Sequence, residues 1–347
     1  MRKLKIFTDK SFLREGSRYI SLLYPFWGDC DVNQGNIDYG RFSDYSKIGE
    51  QLFELASIED ADAAILPNEW CPEKGGDELA RLMQKSREYH KPLIVFFNSD
   101  SAEEIDIPDS VVFRTSFYSA TRRHNEYAVP GWSRDFLKDY LQGELRLRVK
   151  KSIPVVSYAG YVDYNSAFTY AKNVIRKIIH AGDPNRGRPL RGEALRRLKL
   201  SQKIETNFIM RDSNIPGYSS ESLRKEYVRN IIDSDYSLVV RGMGNFSYRL
   251  YEVLSCGRIP LFVNTDCVLP FDHLIDWKKY VIWVESYNLQ SVARAVSDYH
   301  EAISETDFVQ MQKECRKLYE EWISPIGFYS NIWRCVPRLG AEKIQCI

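Results

Sequence analysis

The chain has 347 residues, 44% of them hydrophobic, enough to bury a sizeable core and, at roughly 150 residues per domain, to form two domains. Its 48 basic and 47 acidic side chains leave a net charge of +1, which supplies no global field for a polyanion and argues against nucleic acid as a partner. The longest apolar runs, such as Ile153–Ala159, fall far short of the roughly 20 residues of a spanning helix, so no integral membrane segment is expected.

In chain order, the N-terminus MRKLKIFTD lacks the apolar stretch of a secretory signal and reads as a first strand, Leu4–Phe7. A helical pattern near Tyr45–Ala56, a strand Ala61–Leu66, a helical pattern near Asp77–Tyr89 and strands Leu93–Phe97 and Val111–Phe113 follow. The charged segment Lys138–Ser152 carries no strong β signal and reads as the inter-domain connection, with the boundary near residue 150. Beyond it come strands Ile153–Ala159, Glu205–Met210, Tyr236–Val240, Ile259–Val263 and Tyr280–Val284, separated by helical spacers, then a helical stretch Asp307–Trp322. Short strands alternating with longer amphipathic stretches predict an α/β fold built on parallel sheets. The expected domains are 1–150, 151–330, and a C-terminal tail, 331–347, that packs back on the N-terminal domain.

Seven irregularly spaced cysteines without C-x-x-C fit scattered thiols in a reducing compartment. Five isolated histidines offer no paired ligand spacing, so no metal site is expected. The expected setting is cytoplasmic, peripheral to the membrane.

Ligands of open parallel sheets bind beyond the carboxyl ends of the strands. After strand Tyr236–Val240 comes Arg241-Gly242-Met243-Gly244-Asn245-Phe246, then Ser247-Tyr248-Arg249-Leu250-Tyr251-Glu252. Two glycines permit close backbone approach, and a following helix would aim its first N–H groups, with Asn245 and Ser247 beside them, at an anion. Phe246, Leu250, Val253 and Leu254 mark the face packed on the sheet, which leaves Arg249 and Glu252 together on another. A guanidinium binds a diphosphate bidentately and a carboxylate accepts from ribose hydroxyls, so the pair matches the two halves of a nucleoside diphosphate. An ordinary surface ion pair accounts for the same spacing.

The run RGMGNFSYRLYEVLSCGRIPLFVNTDCVLPFDHLIDWKKYVIWV resembles the exostosin family of glycosyltransferases in its S-x-R-x-x-E, C-G-x-x-P, L-P-F and D-W segments. ADAAILPNEW and NEYAVP resemble upstream segments of that family, so the likeness extends over residues 1 to about 330. The resemblance implies a GT-B-like pair of Rossmann-like domains facing across a cleft. It also implies inverting transfer from a nucleotide-sugar held by the C-terminal domain; the absence of a targeting signal, rather than any motif, leads to the expectation of surface polysaccharide synthesis on a saccharide or lipid-linked glycan acceptor. Arg249 would then hold the diphosphate and Glu252 the ribose. The loop departs from the family where Arg-Gly-Met-Gly stands for Pro-x-Gly and Tyr248 for Pro or Phe. A noncatalytic glycan- or nucleotide-binding module, and a sugar epimerase or phosphorylase of the same architecture, are the alternatives.

Gly160, in the loop after strand Ile153–Ala159, is a further candidate for the nucleotide-sugar, or else a plain turn. Arg188, with Arg186 and Arg191 in the turn-rich GDPNRGRPLRG, would help neutralise a leaving diphosphate, or is a solvated loop charge. An inverting transferase needs a general base, and the N-terminal candidates are Glu126 in NEYAVP, Glu69 and Asp100 just past strand ends. Asp233-Ser234-Asp235 has the D-x-D form of a cation site, but it precedes its strand, about 20 Å from Arg241 at 3.3 Å per residue, and reads as a helix-to-strand turn. No cofactor or metal is expected.

Overall fold

The computed structural model describes residues 3–29, 35–73, 76–162, 187–211 and 221–336. The chain divides into two units. Unit 1 is Met1–Trp132 with Val268–Leu274 and the chain from Glu320 onward, and unit 2 is Ser133–Cys267 with Ile275–Tyr319. Among the described residues no helix is long and apolar enough to cross a membrane.

Unit 1 is built on six parallel strands: β1 (Leu4–Phe7), β2 (Phe53–Leu55), β3 (Ala63–Ile65), β4 (Leu93–Phe97), β5 (Ser110–Arg114) and β6 (Glu126–Ala128), in the order β2-β1-β3-β4-β5-β6. Its central strands β3 and β4 are apolar on both faces because both are covered. Leu93, Val95 and Phe97 point to one side and pack with Leu79 and Leu82 of the helix Gly76–Glu88. Phe96 and Phe113 stack on the other side, 5.2 Å between centroids, and Phe113 meets Phe328 of the helix Pro325–Asn331. Tyr329, next in that helix, packs 4.5 Å from Tyr45 of the helix Ser43–Leu52.

Unit 2 holds β7 (Val155–Tyr161), β8 (Glu205–Arg211), β9 (Tyr236–Val239), β10 (Ile259–Asn264) and β11 (Ile282–Glu285), all parallel, in the order β11-β10-β9-β7-β8. Helices Gly187–Lys199, Glu221–Ile232, Tyr248–Ser255, Val292–Ala302 and Glu305–Leu318 belong to it. The expected α/β class and the two parallel-sheet units are therefore present.

Three details differ from the sequence reading. The units part between Trp132 and Ser133 rather than near 150. Asp135 caps the short helix Phe136–Tyr140 and its carboxylate takes both guanidinium nitrogens of Arg316, at 2.7 and 2.8 Å, so this stretch already belongs to unit 2. The chain returns to unit 1 from Glu320, ahead of the expected tail, and 337–347 lie outside the described residues. The segment read as turn-rich from Gly187 is helical, because Pro189 falls in the first turn, where a missing N–H costs no internal hydrogen bond.

Candidate functional site

An open parallel sheet forms a crevice at the carboxyl edge where neighbouring strands send their connections to opposite sides. Unit 2 has this point between β7 and β9: the chain leaves β7 for β8 on one flank, and β9 leads to β10 and β11 on the other. The donor-side candidates gather around it.

Arg249 lies in the first turn of the Tyr248–Ser255 helix, which buries Leu250, Val253 and Leu254 as the periodicity predicts. Its Nη2 reaches back to donate to the Ala159 carbonyl at the end of β7. Gly160 permits that approach, since a Cβ there would stand 3.0 Å from Arg249 Nη2 and 3.0 Å from the Tyr158 hydroxyl. The guanidinium sits 4.2 Å from the Tyr158 ring centroid and 5.3 Å from that of Tyr227. Nη1 is buried and, among the described residues, has no hydrogen-bond partner. Burial opposes the charge, but Tyr227, Tyr158 and Glu252 outweigh it and raise the pKa, so Arg249 stays cationic.

Glu252 stands one turn further on and is only 8% exposed. It accepts from the Tyr227 hydroxyl at 2.6 Å and the Arg224 guanidinium at 3.2 Å. In place of an ordinary surface bridge to Arg249, Glu252 thus pairs with Arg224 of the Glu221–Ile232 helix, both largely buried. Burial first, then the Glu252 charge, pushes the Tyr227 phenol well up, so it remains a neutral donor.

The loop between β9 and this helix is held by its own residues. Arg241 is buried, and its guanidinium donates to the carbonyls of Gly244 (3.2 Å) and Met243 (3.0 Å), so its charge shapes the loop. The Gly242 N–H donates to Phe246 O at 2.9 Å. Asn245 Oδ1 accepts from the Thr265 hydroxyl at 2.7 Å, both residues buried. Ser247 takes the N-cap position without a side-chain hydrogen bond to the first-turn amides.

The Gly187–Lys199 helix begins against the same loop: a Cβ on Gly187 would lie 2.1 Å from Arg241 O and 2.6 Å from Gly242 O. Arg188 is in its first turn. Arg191 donates to Arg241 O at 3.0 Å and Tyr161 O at 3.4 Å, joining the ends of β7 and β9, and its buried Nε has no partner among the described residues. Arg186 lies outside the described residues. Two helix starts and several arginines thus meet at one strand edge, an arrangement suited to a multiply charged anion. Asp235, by contrast, is fully buried at the opposite end of β9, bonded to Arg148 Nε and the Val155 amide in a helix-to-strand turn.

In unit 1 the corresponding point falls between β1 and β3. Thr8, just past β1, has a buried Oγ1 without a partner among the described residues. Glu69 follows β3, exposed to solvent, and accepts from Asn98 Nδ2 at 2.7 Å. Loss of hydration among the surrounding atoms raises its pKa, against the opposing pull of the Asn98 hydrogen bond and the Arg41 charge. Asp100 is exposed on the loop after β4, its carbonyl accepting from Ser116 Oγ at 3.1 Å.

Glu126 requires a correction. It begins β6 instead of following a strand, is 2% exposed, and accepts from Arg114 Nη1 at 2.7 Å and the Arg123 amide at 2.8 Å. Arg114 lies between the Phe97 and Phe117 rings, 5.4 and 5.1 Å from their centroids, so Glu126 is the counter-charge of a buried cation. Sequence reasoning missed Tyr158, Arg224, Tyr227 and Asn98, which join their partners only through the tertiary fold. The i, i+3 spacing of Arg224 and Tyr227 was the one local signal that they share a helix face.

The model of the Exostosin GT47 domain matches residues 122–298. Exostosin-1 of Drosophila melanogaster is 27% identical over 117 residues, 34% of this chain and 15% of the relative. The Exostosin-1 homolog of Caenorhabditis elegans is 24% identical over 138 residues, 40% of this chain and 35% of the relative. The matched stretches therefore span about a third or less of these curated relatives. The crystal structure of Anabaena Alr3699/HepE in complex with UDP and glucose aligns over 97% of this chain and 100% of its own, at 9% identity and a TM-score of 0.35.

Proposed function

The chain belongs to the exostosin GT47 family, and on that premise we propose that it is an inverting glycosyltransferase that moves a sugar from a nucleoside diphosphate to a saccharide acceptor. The observation that carries this reading is Arg249, held at the β7/β9 switch point with one buried guanidinium nitrogen unpartnered among the described residues. Arg249 receives the diphosphate, with the amides of the Tyr248–Ser255 helix start beside it. The ribose hydroxyls join Tyr227 and Arg224 as donors to Glu252.

Glu69 is the proposed base, because it is exposed, lies past a strand end at unit 1's own switch point, and has a raised pKa. In an inverting transfer the base takes the acceptor hydroxyl proton as that oxygen attacks the anomeric carbon from the face opposite the diphosphate. The anomeric carbon–oxygen bond breaks, its electron pair leaves on the diphosphate, and the configuration inverts. Preorganised positive charge at Arg249 is worth most as that negative charge grows. The same arginines replace a divalent cation in this reading, so activity is expected to survive chelation by EDTA.

The test is incubation with a panel of UDP- and GDP-sugars and oligosaccharide acceptors, following nucleoside diphosphate release and glycosidic product. Acceptor-dependent release that Arg249→Ala abolishes supports the reading. Binding of nucleoside diphosphates without turnover of any sugar in the panel would favour a noncatalytic module.

A further inference from the structure

We propose that Tyr227 is a positioning residue coupling the two ends of the nucleotide site, its ring steadying Arg249 and its hydroxyl steadying Glu252. The inference rests on reading that site as a nucleoside diphosphate seat. Both ligand-facing groups come from the two-turn helix Tyr248–Ser255, and both are long side chains that lose considerable rotamer entropy when fixed. Tyr227 arrives from a different helix, Glu221–Ile232, and touches both. Its hydroxyl donates to Glu252 Oε2 at 2.6 Å, and its ring centroid lies 5.3 Å from the Arg249 guanidinium carbon.

An ordinary core tyrosine needs one partner for its hydroxyl and apolar neighbours for its ring. Here the hydroxyl partner is a carboxylate and the ring partner is a cation with an unpartnered buried nitrogen, so both polar functions of one rigid side chain serve the site. Tyr158 also stands against the guanidinium, 4.2 Å from ring centroid to its carbon, and Arg224 donates to Glu252's other oxygen. Tyr227 is thus the residue shared by two otherwise separate supports. The ring serves the Arg249 end, and the hydroxyl serves chiefly the Glu252 end, with a lesser pull on the Arg249 charge.

That division gives the experiment. The full chain is titrated calorimetrically with inorganic pyrophosphate, which reports the Arg249 end, and with UDP and GDP in parallel, which report both ends. Tyr227→Phe keeps the ring, so pyrophosphate affinity stays within about twofold. Nucleoside diphosphate affinity falls about tenfold, as expected for losing one hydrogen bond to a charged group. Tyr227→Leu removes the ring too and weakens both probes. A partly unfolded variant would lower the stoichiometry for both probes alike, which separates a folding defect from a positioning defect. Equal wild-type-like binding of all probes by both variants, or equal loss of both probes in Tyr227→Phe, overturns the proposal while the site reading stands. Failure of the wild type to bind any probe, or undiminished binding by Arg249→Ala, overturns the site reading itself.

Discussion

Replacing Arg249 with alanine separates a binding role from a scaffolding role, because the structure assigns opposite signs to its effects on stability. The substitution removes the hydrogen bond to Ala159 O and the contacts with the Tyr158 and Tyr227 rings. Cation–π contacts are worth about 0.5–2 kcal/mol and a hydrogen bond from a charged group about 1.5–3 kcal/mol. Against this, alanine eliminates a buried nitrogen without a partner, a defect of about 1–3 kcal/mol, and relieves the burial of a cation. The terms largely cancel, so the thermal midpoint should move by no more than about 3 °C. Nucleoside diphosphate affinity has no such compensation. Loss of a charge-assisted contact to phosphate costs about 1.5–3 kcal/mol, or roughly 10- to 100-fold in Kd. Differential scanning fluorimetry and calorimetric titration read the two quantities on one preparation. A midpoint that drops by 10 °C with affinity preserved would refute the reasoning and make Arg249 a structural residue.

Gly187→Ala should displace the Arg241–Gly242 backbone, since the new methyl carbon would stand 2.1 and 2.6 Å from two carbonyl oxygens; overpacking of about 1–3 kcal/mol should appear as a lowered urea midpoint together with weaker nucleotide binding. Glu126→Ala strands Arg114 in the core and should cost about 3–5 kcal/mol in chemical denaturation. Glu69→Gln should lower turnover at least 100-fold while leaving nucleotide binding intact. Because the Glu69 pKa is raised on folding, the native state binds the extra proton: its contribution to stability is full below the unfolded carboxylate pKa and is lost as pH rises through the folded value. Glu69→Gln should therefore flatten the pH slope of stability in that window, and an unchanged slope would count against the raised pKa.

Strands with runs such as Leu93–Phe97 were legible because five consecutive apolar residues bounded by turns fit only an element buried on both faces. β2 and β6 were not, since Phe-Glu-Leu and Glu-Tyr-Ala are three residues each with no period of their own. Pairing with β1 and β5 makes them strands. The positions of Arg249 and Glu252 were readable from helix spacing beside a glycine-bearing loop. What holds them was not, because Tyr158 and Tyr227 lie about 90 and about 20 residues upstream and meet Arg249 only when the sheet and its helices assemble. Glu126 misled for the same reason: its partner Arg114 looks, in sequence, like the polar end of a strand, whereas pairing of β5 with β6 brings the two charges together inside the core.

The interleaving of the two units bears on how the chain matures during synthesis. Unit 2 lies wholly between Ser133 and Tyr319, whereas unit 1 takes Val268–Leu274 and everything from Glu320 onward. Its aromatic core uses those late arrivals: Phe113 waits for Phe328, Tyr45 for Tyr329, and the Trp132 indole N–H for the Ile323 carbonyl. On the ribosome, the half encoded first is thus the half finished last, its aromatic core incomplete until the final helix emerges. Cutting the gene at residue 267 would yield neither unit whole.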